Sequence, residues 1–255
     1  MEELITVEML RPGLALLTLN RPERRNALCI SMLEELCEKI EALAIDPSTR
    51  VLILRGAGYV FSAGLDLAEA SNLELVEHSA RSVARTFELM RNTRLISIAA
   101  VHGGAYAGGA GLMAACDLAV GTADLKIGFP EARRGLLPAL ICRVMSPKVR
   151  EGDLRELTLV GNTIDAHRAQ QIGLLQRVVA PDQLMPQAIE IAEGVLAGGP
   201  HTIEATKMLL NQTYAPTATV SVSQMIEAHL KARTSPEAIE GLAAFLEKRS
   251  PRWVP

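Results

Sequence analysis

A chain of 255 residues, 49% of them hydrophobic, can bury one large core or two unequal ones and is too apolar to be disordered. Its formal net charge of −3 leaves no general basic field for nucleic acid or an anionic membrane, so an anionic ligand must be met locally. Cys29, Cys37, Cys116 and Cys142 show neither C-x-x-C nor metal-ligand spacing, and the opening MEELITVEML carries acids where a signal peptide carries basic residues. A reducing cytoplasm is the expected location.

In chain order, Ile5 to Leu10 and Leu14 to Leu19 read as two short strands turning at Arg11-Pro-Gly13, a hairpin. After a polar turn over Asn20 to Asn26, Ile30 to Ala44 carries Leu33, Cys37, Ile40 and Leu43 at helical spacing, with Ser31 as a candidate cap. Val51 to Arg55 is a buried type of strand. The small-residue loop Gly56 to Gly64 follows it and opens into a helix at Leu65-Asp66-Leu67.

A charged amphipathic segment, Leu73 to Arg94, leads to a second unit of the same kind. The apolar run Ile96 to Val101 feeds five glycines between Gly103 and Gly111, and an Ala-rich segment follows: strand, glycine loop, helix. The whole stretch from Leu95 to Cys116 lacks Asp, Glu, Lys and Arg. Its central glycines and His102 favour a buried strand-loop-helix over a membrane span. Asp117 to Val120 reads as another strand, and Ile127 to Glu131 as a tight turn carrying one acid. Strands alternating with helices in this way indicate βαβ-type units with ligand-binding loops at the strand ends.

From Leu154 onward, nearly everything except Leu174 to Val179 reads as helix. Starts are expected at Asp165 and Pro181-Asp182, with a break at Gly198-Gly-Pro200 before Ile203 to Leu210 and two last helices over Val220 to Lys231 and Ser235 to Lys248. A boundary near residue 195 divides an α/β core (1–195) from a C-terminal helical region (196–255), whose apolar stripes need cover from the core or a neighbouring subunit.

A helix N-terminus exposes unpaired N–H groups and the positive end of the dipole, so the loop near Gly108 is suited to holding negative charge without a basic side chain. Gly109 to Ala114 matches the G-x-G-x-x-A dinucleotide pattern. That match lies inside the expected helix, not in the turn where a pyrophosphate would need it. His78, His102, His167, His201 and His229 form no metal spacing, no serine sits in a G-x-S-x-G elbow, and Cys116 reads as a packed thiol.

Four blocks then stand together: Leu19 to Ala27, Phe61 to Leu67, His102 to Asp117, and Phe129-Pro-Glu131. In order and spacing they resemble the signature blocks of the enoyl-CoA hydratase/isomerase (crotonase) family. The resemblance implies an α/β spiral of ββα units with a C-terminal helical trimerisation region, a homotrimer or dimer of trimers, and an acyl-CoA thioester as substrate. No cofactor is implied beyond the coenzyme A that the substrate carries, and no metal, nucleic acid or membrane partner.

The resemblance also implies an oxyanion hole formed by the backbone N–H groups of Leu65 and Gly108. Hydration or proton shuttling in an α,β-unsaturated thioester passes through an enolate-like state, and such donors stabilise its charge more than they stabilise the neutral carbonyl. Glu131 is the expected general acid/base, with its carboxyl raised toward neutrality by a dry acyl pocket. Ala63, Gly64, Asp66 and Leu67 are expected to flank the thioester and pantetheine path. Arg24 and Lys248 are expected to meet the nucleotide end, Lys248 from this or a neighbouring subunit.

One departure stands out. The position three residues after Gly108, where two-glutamate hydratases carry their first acid, is Gly111. A one-glutamate hydratase, an isomerase using Glu131 alone, and a non-catalytic acyl-CoA-binding relative all remain open. Phe129 to Ile141, taken with Gly111, is similar to the branch acting on methylglutaconyl-CoA and related branched, carboxylated esters. That similarity favours hydration, with Arg133, Arg134 or Arg143 pairing with the extra carboxylate.

Overall fold

The computed structural model describes residues 3–72, 74–214 and 221–254, so Met1, Leu73 and Val220 of the expected segments lie outside it. β1 (Ile5–Arg11) and β2 (Leu14–Leu19) pair antiparallel as the expected hairpin, and β3 (Val51–Gly56) lies parallel to β2. Between them runs α1 (Ile30–Ile45). Its N-cap is Cys29 rather than Ser31, and the free N–H of Ile30 is taken by the Glu69 carboxylate at 2.8 Å. A cap can come from a distant acid that tertiary structure delivers.

α2 (Leu67–Ser71) and α3 (Val76–Asn92) lead to β4 (Ile96–Val101), then β5 (Gly104–Tyr106), α4 (Gly108–Ala115), β6 (Leu118–Thr122) and β7 (Lys126–Gly128). The Leu95 to Cys116 stretch is thus strand and helix as expected, but the glycine run between them holds the three-residue strand β5 rather than loop alone; among the described residues no helix is long and apolar enough to cross a membrane. α5 (Ala139–Met145), α6 (Glu151–Arg155) with a π-helical turn, β8 (Thr163–Asp165), α7 (Ala166–Gln171) and β9 (Arg177–Val179) follow. The chain ends in α8 (Leu184–Leu196), α9 (Pro200–Thr213), α10 (Val222–Arg233) and α11 (Pro236–Leu246).

A six-stranded sheet has the order β1-β2-β3-β4-β6-β9, and a smaller one the order β5-β7-β8. Successive turns of chain place one strand in each sheet: β4 then β5, β6 then β7, β8 then β9. The large sheet is covered on both faces. Along β3, Leu52 and Leu54 face one core with α1 and α3, while Val51 and Ile53 face another built with Leu184, Ala188 and Ala192 of α8. This is why β3 reads as an unbroken apolar run rather than an alternating one.

Among the C-terminal helices, α10 packs on α3 and α5 and contributes Ile226 to the main core. The helix starts at Asp165 and Ser235 are side-chain caps, accepting from the N–H groups of Arg168 at 2.8 Å and Ala238 at 3.1 Å.

Candidate active site

β3 and β4 lie side by side and parallel, with Arg55 paired to Ala100, so the loops that follow them emerge at the same sheet edge. Those loops zip together. Phe61 N–H donates to His102 O at 3.0 Å, Ser62 N–H to Gly104 O at 3.2 Å, and Tyr106 N–H to Ser62 O at 3.0 Å. The buried hydroxyl of Ser62 donates to Asn26 O at 2.8 Å and accepts from Gly64 N–H at 3.2 Å. Asn26 in turn donates its amide to the carbonyls of Ala57 and Val60. Three segments distant in sequence are thereby fixed around one turn.

Gly64 has φ +96°, and a Cβ there would lie 2.8 Å from Tyr106 O and 3.5 Å from Gly108 N. Only glycine allows both the conformation and this approach of one loop to the other. Next to it, Leu65 forms a bridge with Leu28, whose N–H donates to Gly64 O. Among the described residues the N–H groups of Leu65 and Gly108 have no acceptor. Both residues line one cavity of about 660 Å3.

Gly108 is the first residue of α4, where the dipole adds to its N–H. The cap before it, Ala107, is held at φ 50°, ψ −123°, which an L side chain rarely adopts. Its N–H donates to Gly128 O and its carbonyl accepts from Gly111 N–H, both at 2.9 Å. Structure on both sides enforces the strained geometry at the residue that aims Gly108.

β5 and β7 run parallel with Tyr106 paired to Gly128, so the residues after β7 come alongside the start of α4. Ile127 and Gly128 of the expected turn therefore belong to a strand, and the turn proper carries Glu131. Glu131 lines the same cavity, is 7% exposed, and its Oε2 has no hydrogen-bond partner. Burial pushes this carboxyl up to about 7, against the pull of its own backbone N–H and of the Arg134 and Arg233 guanidiniums. A dry carboxyl in the same cavity as two unpaired amides has the chemistry to move a proton near an oxygen that becomes anionic.

The remaining expected residues divide. Arg24, Ala63, Asp66 and Leu67 line the cavity. Asp66 caps α2 through Ala68 N–H and pairs with Arg21 at 2.6 Å. Burial alone would raise its carboxyl, but these bonds outweigh it and hold it below the ordinary range. Lys248 is exposed and lies outside the cavity lining of this chain.

Gly111 is also off the cavity wall: a Cβ there would lie 2.7 Å from Phe87 Cζ and 3.2 Å from Ile141 Cγ1. Of the three arginines considered for a substrate carboxylate, only Arg134 reaches the cavity. Arg133 donates to Val160 O and Asn162, and Arg143 pairs with Glu88 at 2.7 Å.

Asn26, Ser62 and the α10 pair His229 and Arg233, to which the sequence alone assigns no individual role, also line or brace this cavity. The polar pair on an otherwise apolar helix face was the available signal. Cys116 is buried, with its thiol pushed up to about 12 by desolvation, a packed group.

The profile described as enoyl-CoA hydratase/isomerase matches residues 10–254. A crotonyl-CoA hydratase of Syntrophomonas wolfei is 32% identical, over 94% of each chain. The 2,3-dehydroadipyl-CoA hydratase of Escherichia coli is 31% identical, over 98% of each. A crystal structure of an enoyl-CoA hydratase from Mycobacterium avium superposes with a TM-score of 0.90 at 32% identity, over 99% of this chain and 100% of that one. This chain, with its mixed α/β spiral, belongs to the enoyl-CoA hydratase/isomerase family, whose members act on acyl-CoA thioesters.

Proposed function

We propose that this chain adds water reversibly across the double bond of an α,β-unsaturated, branched or carboxylated acyl-CoA thioester, using Glu131 as its one acid/base. The observation that carries the reading is the buried Glu131 carboxyl, without a partner, in the cavity that Leu65 and Gly108 also line.

In the reaction the ionised Glu131 takes a proton from water as the water oxygen bonds to Cβ. The π electrons pass to the thioester oxygen, where the N–H groups of Leu65 and Gly108 meet the charge. Glu131 then returns its proton to Cα, the carbonyl re-forms, and the carboxylate is regenerated. Arg24 and the 63–67 loop receive the coenzyme A arm, and Lys248 of a neighbouring copy completes its nucleotide end. Exposed Leu209, Leu210, Ile239 and Leu246 on α9 and α11 are the surfaces on which copies assemble as a trimer, or a dimer of trimers.

A double-bond isomerase is the second reading, favoured by the packing of Phe87 over Gly111, which leaves no second acid to hold water. Glu131 would then take a proton from C2 of a 3-enoyl ester, with the charge passing to the thioester oxygen, and return it at C4, which leaves the double bond between C2 and C3. Ultraviolet absorbance of the conjugated thioester separates the readings. Hydration consumes it, isomerisation of a 3-enoyl ester creates it, and a binding-only protein does neither. The wild type is expected to consume it, with Glu131→Gln slower by about 10²- to 10⁴-fold. Undiminished turnover in Glu131→Gln would remove the carboxyl from the mechanism.

A further inference from the structure

Among the described residues Arg233 and Lys207 are the buried basic side chains, and they are served differently. Lys207 pairs with Asp117 at 2.8 Å. Arg233, 6% exposed, donates only to neutral acceptors: Nη1 to the Ala70 carbonyl, and Nε to His229 Nε2 at 3.2 Å. His229 Nδ1 sits 3.1 Å from Leu137 O, so the imidazole donates there, accepts at Nε2 and is uncharged. Burial and the neighbouring Arg233 both hold it in that neutral form.

Arg134 is half-buried nearby. Its guanidinium lies 3.9 Å over the ring of Phe245 and makes no ion pair among the described residues. Both arginines line the cavity, and both act on Glu131, which forms no ion pair with either. One wall therefore carries two cations against a single carboxyl that is easily protonated. Charge left unpaired in a desolvated wall is costly unless a ligand supplies its partner.

The position of that wall selects the anion. On the oxyanion reading given above, on which this inference rests, the thioester oxygen lies at Leu65 and Gly108 and the reacting carbons at Glu131. Arg24 and the 63–67 loop lie toward coenzyme A. Arg134, stacked on Phe245, and Arg233, bonded to the Ala70 carbonyl of α2, share the cavity with apolar Leu140, Ile141 and Leu242, which are the surround expected for an acyl chain. We propose that Arg233 and Arg134 form a carboxylate-binding subsite for the far end of the acyl chain, so that the chain prefers enoyl-CoA monothioesters of dicarboxylic acids over neutral chains of equal length. The planar guanidinium offers the two parallel donors that a carboxylate accepts, and neutral His229 orients Arg233 without competing for the anion.

The test compares glutaconyl-CoA with its terminal carboxamide, for wild type, Arg233→Met and Arg134→Met. Wild type is expected to favour the acid by about 10- to 100-fold in kcat/KM, and each variant to cut that ratio by about tenfold. A wild-type ratio near one overturns the proposal. So does a variant that slows both esters equally, which would mark a purely structural arginine. An equal loss of affinity for free coenzyme A would assign the pair to its phosphates instead.

If wild type turns over neither ester, the hydration reading falls. Calorimetric Kd values for the same two esters then decide the subsite by the same ratio. Should Arg233→Met fail to fold, the half-exposed Arg134→Met carries the comparison.

Discussion

A Cβ on Gly111 would lie 2.7 Å from Cζ of Phe87, so the ring of Phe87 fills the space beside the position where relatives with two acids place the first one. The missing glutamate is not a simple vacancy into which a side chain can be restored. Gly111→Glu must displace a buried aromatic and bury an acid. It is predicted to destabilise the fold by at least about 2 kcal/mol in urea titration, with Phe87→Ala in the same chain recovering part of the loss. An unchanged unfolding midpoint for Gly111→Glu would show that the ring moves freely.

The raised carboxyl of Glu131 predicts two pH effects of defined sign. In the role of base proposed for it the carboxyl must be ionised, so kcat/KM should fall about tenfold per pH unit below its value of about 7. For stability, the folded state favours the protonated form. Its contribution is complete below the unfolded value of 4.5 and is lost as pH rises to about 7. Wild type should therefore lose stability relative to Glu131→Gln across that window. A rate limb near 4.5 would mean that the carboxyl is solvated.

Ala107 occupies backbone space that glycine takes without strain. Ala107→Gly should raise stability by about 1 kcal/mol, read as a higher Tm. A lower Tm would mean that its methyl packing outweighs the strain.

Ser62 touches no substrate in this account, yet its hydroxyl links Asn26 O to Gly64 N–H. Ser62→Ala should lower kcat about tenfold with little change in KM, because the Leu65 amide loses its aim, and should cost about 1 to 2 kcal/mol of stability. A pure KM effect would place Ser62 in binding instead.

Gly108→Val would put methyls against Leu65, whose Cδ2 already lies 3.3 Å from a Cβ at 108. Turnover should fall below detection while the protein still folds. Retained activity would move the site elsewhere.

Much of this arrangement was legible because it is local. Two apolar strands each followed by a glycine loop and a helix define adjacent parallel strands, and hence loops that meet at one edge. Glu131 was legible through its motif, although its burial depends on α10 and α11 closing the cavity. The rest depends on tertiary contact. Three-residue strands such as β5, β7 and β8 are too short to show a period of two. Ser31 has a cap's chemistry, but Glu69 reaches the helix start first. Arg133, Arg134 and Arg143 look alike in sequence, and only the turn geometry sends Arg134 inward. Arg233 becomes a wall residue because α10 packs on α3 and α5.

In the proposed mechanism the amides of Leu65 and Gly108 share one thioester oxygen while Glu131 stands over the reacting carbons. A crystal structure of Glu131→Gln with a bound enoyl-CoA tests it most directly. The thioester oxygen is expected at about 2.7 to 3.1 Å from both nitrogens, with residue 131 against Cα and Cβ. A thioester oxygen turned toward solvent, or residue 131 on the far side of the acyl chain from the reacting carbons, would contradict it.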